Sequence, residues 1–345
     1  MKNLINKLAE KHILSKDEFE LLIQNKNKET EDYLFGKARE TAILHYGKDI
    51  YIRGIIEFTN YCKNNCYYCG IRKNNFNAHR YRLTKEQILQ CCDAAYILGL
   101  RTFVLQGGED IYFTDERIID IIKDIKKKYS DCAITLSIGE KSHASYKAYF
   151  DAGANRYLLR HETANESLYA KLHPSDQLLS IRKQCLYDLK DIGYQVGAGF
   201  MVGAPFQTVE NIAQDLLFLY ELQPEMVGIG PFIPQHDTSF ADEKPGTVEL
   251  TVFLLSIIRL MLPSVLLPAT TALGTIHPRG RELGILAGAN VIMPNISPQN
   301  VRKDYMLYDN KIGTKDDAEE SLQVLKEQVK KIGYRIVVAR GDYKS

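Results

Sequence analysis

Residues 51–70 read Tyr-Ile-Arg-Gly-Ile-Ile-Glu-Phe-Thr-Asn-Tyr-Cys-Lys-Asn-Asn-Cys-Tyr-Tyr-Cys-Gly. Tyr51–Phe58 is rich in β-branched and aromatic residues and reads as a strand; a polar loop follows, with three cysteines spaced C-x3-C-x2-C. Working outward, the alternation recurs. Strand candidates Thr102–Leu105, Ala133–Leu136, Arg156–Leu159, Gln195–Met201, Met226–Ile229, Val265–Pro268 and Asn290–Met293 follow, with amphipathic helical stretches between them. Such alternation implies a parallel sheet, and eight strand–helix units are the number that closes a barrel. The expected fold is α/β, a (β/α)8 TIM-type barrel, with an open doubly wound sheet as the alternative.

The helices carry their own punctuation. Thr84 and Gln87 form a capping-box pair; Ile88, Leu89, Cys92, Ala95 and Leu98 follow at helical spacing, and Gly99 ends the run. The next helix begins Thr114-Asp115-Glu116 and ends Lys126-Lys127-Lys128, which matches charge to the helix dipole at both ends. Two others lead into Gly153 and Gly193. Residues 1–47 set Leu4, Leu8, Phe19, Leu22, Leu34, Ala38 and Ile43 among charges and read as an N-terminal helical extension. No linker rich in Pro, Gly or Ser interrupts the rest, so residues 48–345 are expected to form the barrel domain.

At 345 residues the chain is within the range of one α/β barrel. Lys+Arg number 44 and Asp+Glu 43, a net charge of +1, so no basic field is available for nucleic acid or an anionic membrane. The first residues lack an uninterrupted apolar core and no later run is long enough to span a bilayer. A cytoplasmic location is expected, where structural disulfides are disfavoured and the 7 cysteines need another explanation. Cys91, Cys92, Cys132 and Cys185 fall in helices or at a strand start, where a cysteine is ordinarily a small buried hydrophobe.

Cys62, Cys66 and Cys69 are different. Three thiolates on a short loop can each bind one iron of a [4Fe–4S] cubane. The fourth iron is then left without a protein ligand, open to chemistry as the exchangeable position of a catalytic zinc is. A structural zinc would need a fourth Cys or His, for which His79 is the nearest candidate. Three free thiols without metal would invite oxidation.

In an α/β barrel, function is built at the carboxyl ends of the strands. After the second strand comes Gln106-Gly107-Gly108-Glu109-Asp110, where the glycines admit close backbone approach and the acids suit an amino group. The third strand ends at Ser137. On the fourth, Arg156, Arg160 and Glu162 alternate and are expected to face the barrel interior, as a mutual salt bridge or as a ligand site. The fifth and sixth run into glycine-rich turns, and the seventh ends Pro268-Ala269-Thr270-Thr271, with two hydroxyls suited to an anion.

Cys62, Cys66 and Cys69, with Tyr68 before the last and Gly107-Gly108-Glu109 downstream, resemble the radical S-adenosylmethionine (SAM) superfamily. The fuller pattern includes NYCKNNCYYCGIR (60–72), RYLLRHETAN (156–165), VGIGPFIP (227–234), PATTALGTI (268–276) and ANVIMPN (289–295). Over about residues 50 to 310 it is similar to the [FeFe]-hydrogenase maturase family HydE.

The resemblance implies that the three cysteines ligate one [4Fe–4S] cluster whose open iron is chelated by SAM, and that one electron cleaves SAM to methionine and a 5′-deoxyadenosyl radical. It implies Tyr68 near the adenine, Gly107 and Gly108 on the SAM amino group, and Ser137, Glu162 and Arg182 on its carboxylate or ribose. Arg156, Arg160, Thr270, Thr271 and Tyr305 would line an inner cavity for a small-molecule or small iron-complex substrate. An electron donor and partner maturases are implied as well. Some members bind a second cluster through three cysteines near the C-terminus; the stretch 311–322 has no cysteine, so no second cluster is expected here. Methylornithine synthase-like isomerisation and biotin synthase-like sulfur insertion are the neighbouring alternatives, the latter needing a sacrificial second cluster. A non-catalytic iron–sulfur carrier is the alternative of another class.

Overall fold

The computed structural model describes residues 1–314 and 317–344; Lys315 and Asp316, within the cysteine-free stretch, and Ser345, at the end of the expected barrel domain, lie outside them. The chain opens with helices Lys2–Lys11, Lys16–Gln24 and Lys28–Tyr46. The second and third start on capping boxes, Ser15 with Glu18 and Asn27 with Thr30, which satisfy the first orphan N–H groups. Ile5, Leu8, Phe19, Leu22 and Leu34 join the same buried cluster as Leu254, Leu255 and Ile258, whereas Ile43 lies exposed. Helix Val248–Met261, to which those three belong, is apolar nearly all round and accordingly buried. Its buried Arg259 has its donors satisfied by carbonyls, donating to Gly288 O (2.9 Å), Pro263 O (2.8 Å) and Val265 O (2.8 Å).

The strands are β1 (Asp49–Ile52), β2 (Gly54–Thr59), β3 (Thr102–Gly107), β4 (Ala133–Ser137), β5 (Arg156–Leu158) and β6 (Gln195–Ala198). They continue with β7 (Met201–Val202), β8 (Met226–Val227), β9 (Gly230–Pro231), β10 (Val291–Ile292) and β11 (Arg335–Val337). One parallel sheet runs β2-β3-β4-β5-β6-β8. Single parallel bridges extend it, from Met226 to Leu266, from Pro268 to Val291 and from Asn295 to Ile55 on β2, so the pairing returns to its starting strand. β1 pairs with both β10 and β11, and β7 with β9 just beyond the ends of β6 and β8. Helices Lys85–Ile97, Asp115–Lys128, His143–Ala152, Leu179–Ile192 and Val209–Leu222 cover the outside, which is why the parallel strands are buried on both faces. Gly153 (φ 119°) and Gly193 (φ 100°) end two of these helices in the left-handed region, as their sequence positions indicate.

Several strands are shorter than their sequence pattern. The expected strand 51–58 breaks at Arg53, whose buried side chain reaches Met226 Sδ (2.7 Å) and Gly341 O (3.2 Å). The expected strand 195–201 breaks at Gly199, where a Cβ would lie 2.1 Å from Gly228 O. Val265–Pro268 forms isolated bridges in place of a ladder, and β11 was not expected from the pattern. Among the described residues, no helix is long and apolar enough to cross a membrane.

The alternation of Arg156, Arg160 and Glu162 does not put them together. β5 is three residues long, and the four steps from Arg156 to Arg160 span about 13 Å at strand rise, roughly the depth of the sheet. Arg156 therefore lies at the amino end, 2% exposed, donating to Gln195 Oε1 (3.0 Å), Thr102 Oγ1 (3.0 Å), Arg340 O (3.1 Å) and Asp342 Oδ1 (2.6 Å). It does not line the inner cavity. Its substitution removes one partner from each of these bonds. In Arg156→Met, urea denaturation of the cluster-free protein should show a loss on the order of 3 kcal/mol.

Candidate active site

The loop after β2 is held by side chains that bond to backbone. Asn60 Nδ2 donates to His79 O (2.7 Å) and Asp304 O (2.6 Å), and its Oδ1 accepts from Tyr81 N (2.8 Å). Arg80 donates to the carbonyls of Ile71 (2.8 Å), Arg72 (2.6 Å) and Asn75 (3.0 Å), and also to that of Asn60. At the end of β3, Gly108 packs against this loop: a Cβ there would fall 2.2 Å from Tyr61 O and 2.8 Å from Cys62 Cβ. The same turn lets Glu109 N donate to Cys62 Sγ (3.4 Å).

The three cysteines are half-buried and free; Cys91, Cys92, Cys132 and Cys185 are free too but buried. Burial pushes all three thiols up, Cys69 to about 12, and at Cys66 and Cys69 the neighbouring cysteines add to the shift. They are neutral until a cation binds, and a bound metal reverses the local logic by holding them as thiolates. His79 is exposed and turned to Asp304, its Nδ1 3.0 Å from Oδ2, so it is not aimed at the cysteines as the zinc alternative requires. Among the described residues, no three His, Cys, Asp or Glu side chains converge closely enough for a single ion. The donor set suits a polynuclear cluster on three thiolates.

Tyr68 lies between the last two cysteines of the motif, and its orientation is fixed from outside the loop. His173 Nδ1 faces Tyr169 O (3.0 Å), which only accepts, so the proton sits on Nδ1 and Nε2 accepts from the Tyr68 hydroxyl (3.2 Å). His173 also stacks on Tyr169 with ring centroids 3.9 Å apart. Burial lowers His173 to about 3, which keeps it neutral in its acceptor role.

Above the strands a cavity of about 360 Å³ opens beneath the cysteine loop. It brings together Cys62, Cys66, Cys69, Tyr68, Gly107, Gly108, Glu162 and Arg182 with Arg160, Thr270, Thr271 and Tyr305. Ser137 is left out: it is half-buried at the end of β4, in register with Gln106, and does not line the cavity. Arg160 Nη2 stands 3.3 Å from Glu162 Oε2 without a directed hydrogen bond, and Glu162 adopts a left-handed φ of 66°. Arg160 Nε and Thr270 Oγ1 are buried with no hydrogen-bond partner. Unsatisfied polar atoms around a cavity are the mark of a site that binds a polar ligand.

The sequence reading missed the polar floor. Lys311 donates to Glu57 Oε1 and to Tyr305 O (2.9 Å), and Asn295 Nδ2 donates to Glu57 Oε2 (2.8 Å). A glutamate inside an otherwise apolar strand was the available signal, but its partner is 254 residues away.

Residues 56–219 match the radical SAM superfamily. The [FeFe] hydrogenase maturase subunit HydE of Thermotoga maritima is 50% identical over 279 residues, 81% of this chain and 79% of that one. The chain belongs to the HydE family. It is a radical SAM enzyme, and a [4Fe–4S] cluster and SAM are its cofactors. Beside HydE, the 3-methylornithine synthase of Methanosarcina acetivorans is 28% identical over 90% of this chain and 87% of its own. In fold, a methylornithine synthase structure superposes with a TM-score of 0.83 at 24% identity, covering 97% of both chains. HydG, a maturase of the [FeFe]-hydrogenase, gives 0.82 at 21% identity over 98% of this chain and 76% of that one.

The His173 contact has a pH signature. The unfolded chain takes up a proton near the ordinary histidine value of 6.5, whereas the folded chain refuses it down to about 3. Stability from this group is complete above 6.5 and is lost as pH falls below it, by up to about 1.4 kcal/mol per pH unit. Urea midpoints of the cluster-free protein should fall accordingly between pH 7 and 5, and His173→Gln should flatten that slope.

Proposed function

We propose that this chain is a maturase of the [FeFe]-hydrogenase cofactor, acting as a radical SAM enzyme on a small anionic or iron-bearing substrate. The observation that carries this reading is the cavity that joins the three-thiol loop to Arg160 Nε and Thr270 Oγ1, both buried without a hydrogen-bond partner. The 50% identity to a HydE maturase supports it. The returning strand pairing supports a closed (β/α)8 barrel over residues 48–345, with residues 1–47 as its helical extension. The free cysteines support a reducing, cytoplasmic site of action.

When bound, the cluster and SAM supply the 5′-deoxyadenosyl radical. The protein's share is binding, orientation and exclusion of water. Cys62, Cys66 and Cys69 would hold three irons. Tyr68, locked by His173, would present its ring to the adenine, while the backbone at Gly107 and Gly108 would receive the SAM amino group. Glu162 and Arg182 would hold the ribose and carboxylate; Arg182 is itself held by Glu140 (2.6 Å). Ser137 and Arg156 are left out of this assignment by their positions. Arg160, Thr270, Thr271 and Tyr305 would fix the substrate, an Arg fork and hydroxyls suiting an anionic group. An electron donor and partner maturases complete the scheme.

The likeness to methylornithine synthases favours one second reading, isomerisation of an amino acid. After anaerobic reconstitution and reduction, the protein should release 5′-deoxyadenosine from SAM, and Cys66→Ala should reduce this to background. An intact cluster without SAM cleavage would sink the enzyme assignment, leaving a cluster carrier. A rearranged product formed from lysine would replace the maturase reading with the isomerase one.

A further inference from the structure

Beside the main cavity lies a second chamber of about 320 Å³. The two share walls at Ile55, Glu57, Thr271, Met293 and Lys311. The Glu57–Lys311 pair stands between them, and both of its charges are answered, by each other, by the Asn295 amide and by the Tyr305 carbonyl. This partition is neutral and satisfied.

Arg281, which also lines the side chamber, is not. It projects from helix Gly280–Leu286, and its Nε is buried with no hydrogen-bond partner. Among the described residues it enters no ion pair. Burial pushes the guanidinium below its ordinary value, and the neighbour opposing that shift is the phenol of Tyr308. Across the chamber, on helix Ala318–Lys331, the Ser321 hydroxyl is also buried without a partner. A buried N–H without a partner is costly, and on the half-buried Arg281, with hydroxyls lining the same chamber, an entering anion answers that cost.

We propose that this side chamber binds a small carboxylate monoanion on Arg281, with the Ser321 and Thr271 hydroxyls beside it. The planar guanidinium fork matches a carboxylate in two parallel hydrogen bonds. Among the described residues the guanidinium enters no ion pair and so suits one negative charge, and the exposed Glu320 that also lines the chamber disfavours a dianion. The apolar remainder of the lining, Ile55, Ile312, Val324 and Leu325, suits a short hydrocarbon end. Because the chamber shares its wall with the main cavity, its occupant stands next to the substrate space and outside the SAM site.

Acetate is the probe. It is titrated calorimetrically into the cluster-loaded protein at fixed ionic strength, with SAM present to fill the cofactor's own carboxylate site. Saturable binding is expected, weakened at least about tenfold in Arg281→Met and less in Arg281→Lys, which keeps charge but loses the fork. Binding should survive in Arg160→Met, whose charge faces the main cavity. Loss in Arg160→Met with survival in Arg281→Met would place the anion in the main cavity and overturn the proposal, as would the absence of saturable binding. If Arg281→Met fails to load its cluster, Ser321→Leu obstructs the chamber from the opposite helix and should give the same loss. SAM cleavage without acetate is scored separately, so failure of the maturase reading and failure of this site are told apart.

Discussion

Where β3 ends, the backbone of Gly108 passes so close to the cysteine loop that even a methyl group would collide with the Tyr61 carbonyl and Cys62. Gly108 N donates to Thr59 O (3.2 Å), and Lys63 N donates to Glu109 O (2.9 Å), so two neighbouring strand ends are stitched to one another at their tips. The position of Cys62 follows from this contact, and the roof of the cavity follows from the position of Cys62. The remaining polar groups of the site come from strand ends farther round the sheet and need only face this fixed corner.

The parts of the molecule legible in the sequence are those encoded over a few residues. The capping box at Thr84 and Gln87, the glycine stops at Gly153 and Gly193 and the C-x3-C-x2-C loop all stand where their local patterns place them. What escaped was settled by partners far along the chain. Arg156 and Arg160 share one alternation, yet a three-residue strand separates them by the depth of the sheet, and the C-terminal backbone at Arg340 and Gly341 claims the first. Glu57 stood inside the deciding stretch and still gave no role, because only the fold brings Lys311 and Asn295 to it. The break at Arg53 has the same origin, since its buried partners lie on β8 and near the C-terminus.

The site sets neutral and charged groups side by side. Around the cysteines, burial favours neutral groups: thiols keep their protons and His173 keeps a single one. Beside them on the cavity wall, Arg160 and Arg182 bring positive charge, each faced by one glutamate, Glu162 and Glu140.

The Arg80 guanidinium, spread over four carbonyls of one loop, has a consequence for the life of the cofactor. Side-chain bonds to backbone hold the loop's shape, so the conformational entropy of ordering it is spent when the chain folds and not when iron arrives. Whenever the irons are lost, the bonds that shape the loop remain, and a returning cluster meets a scaffold already ordered.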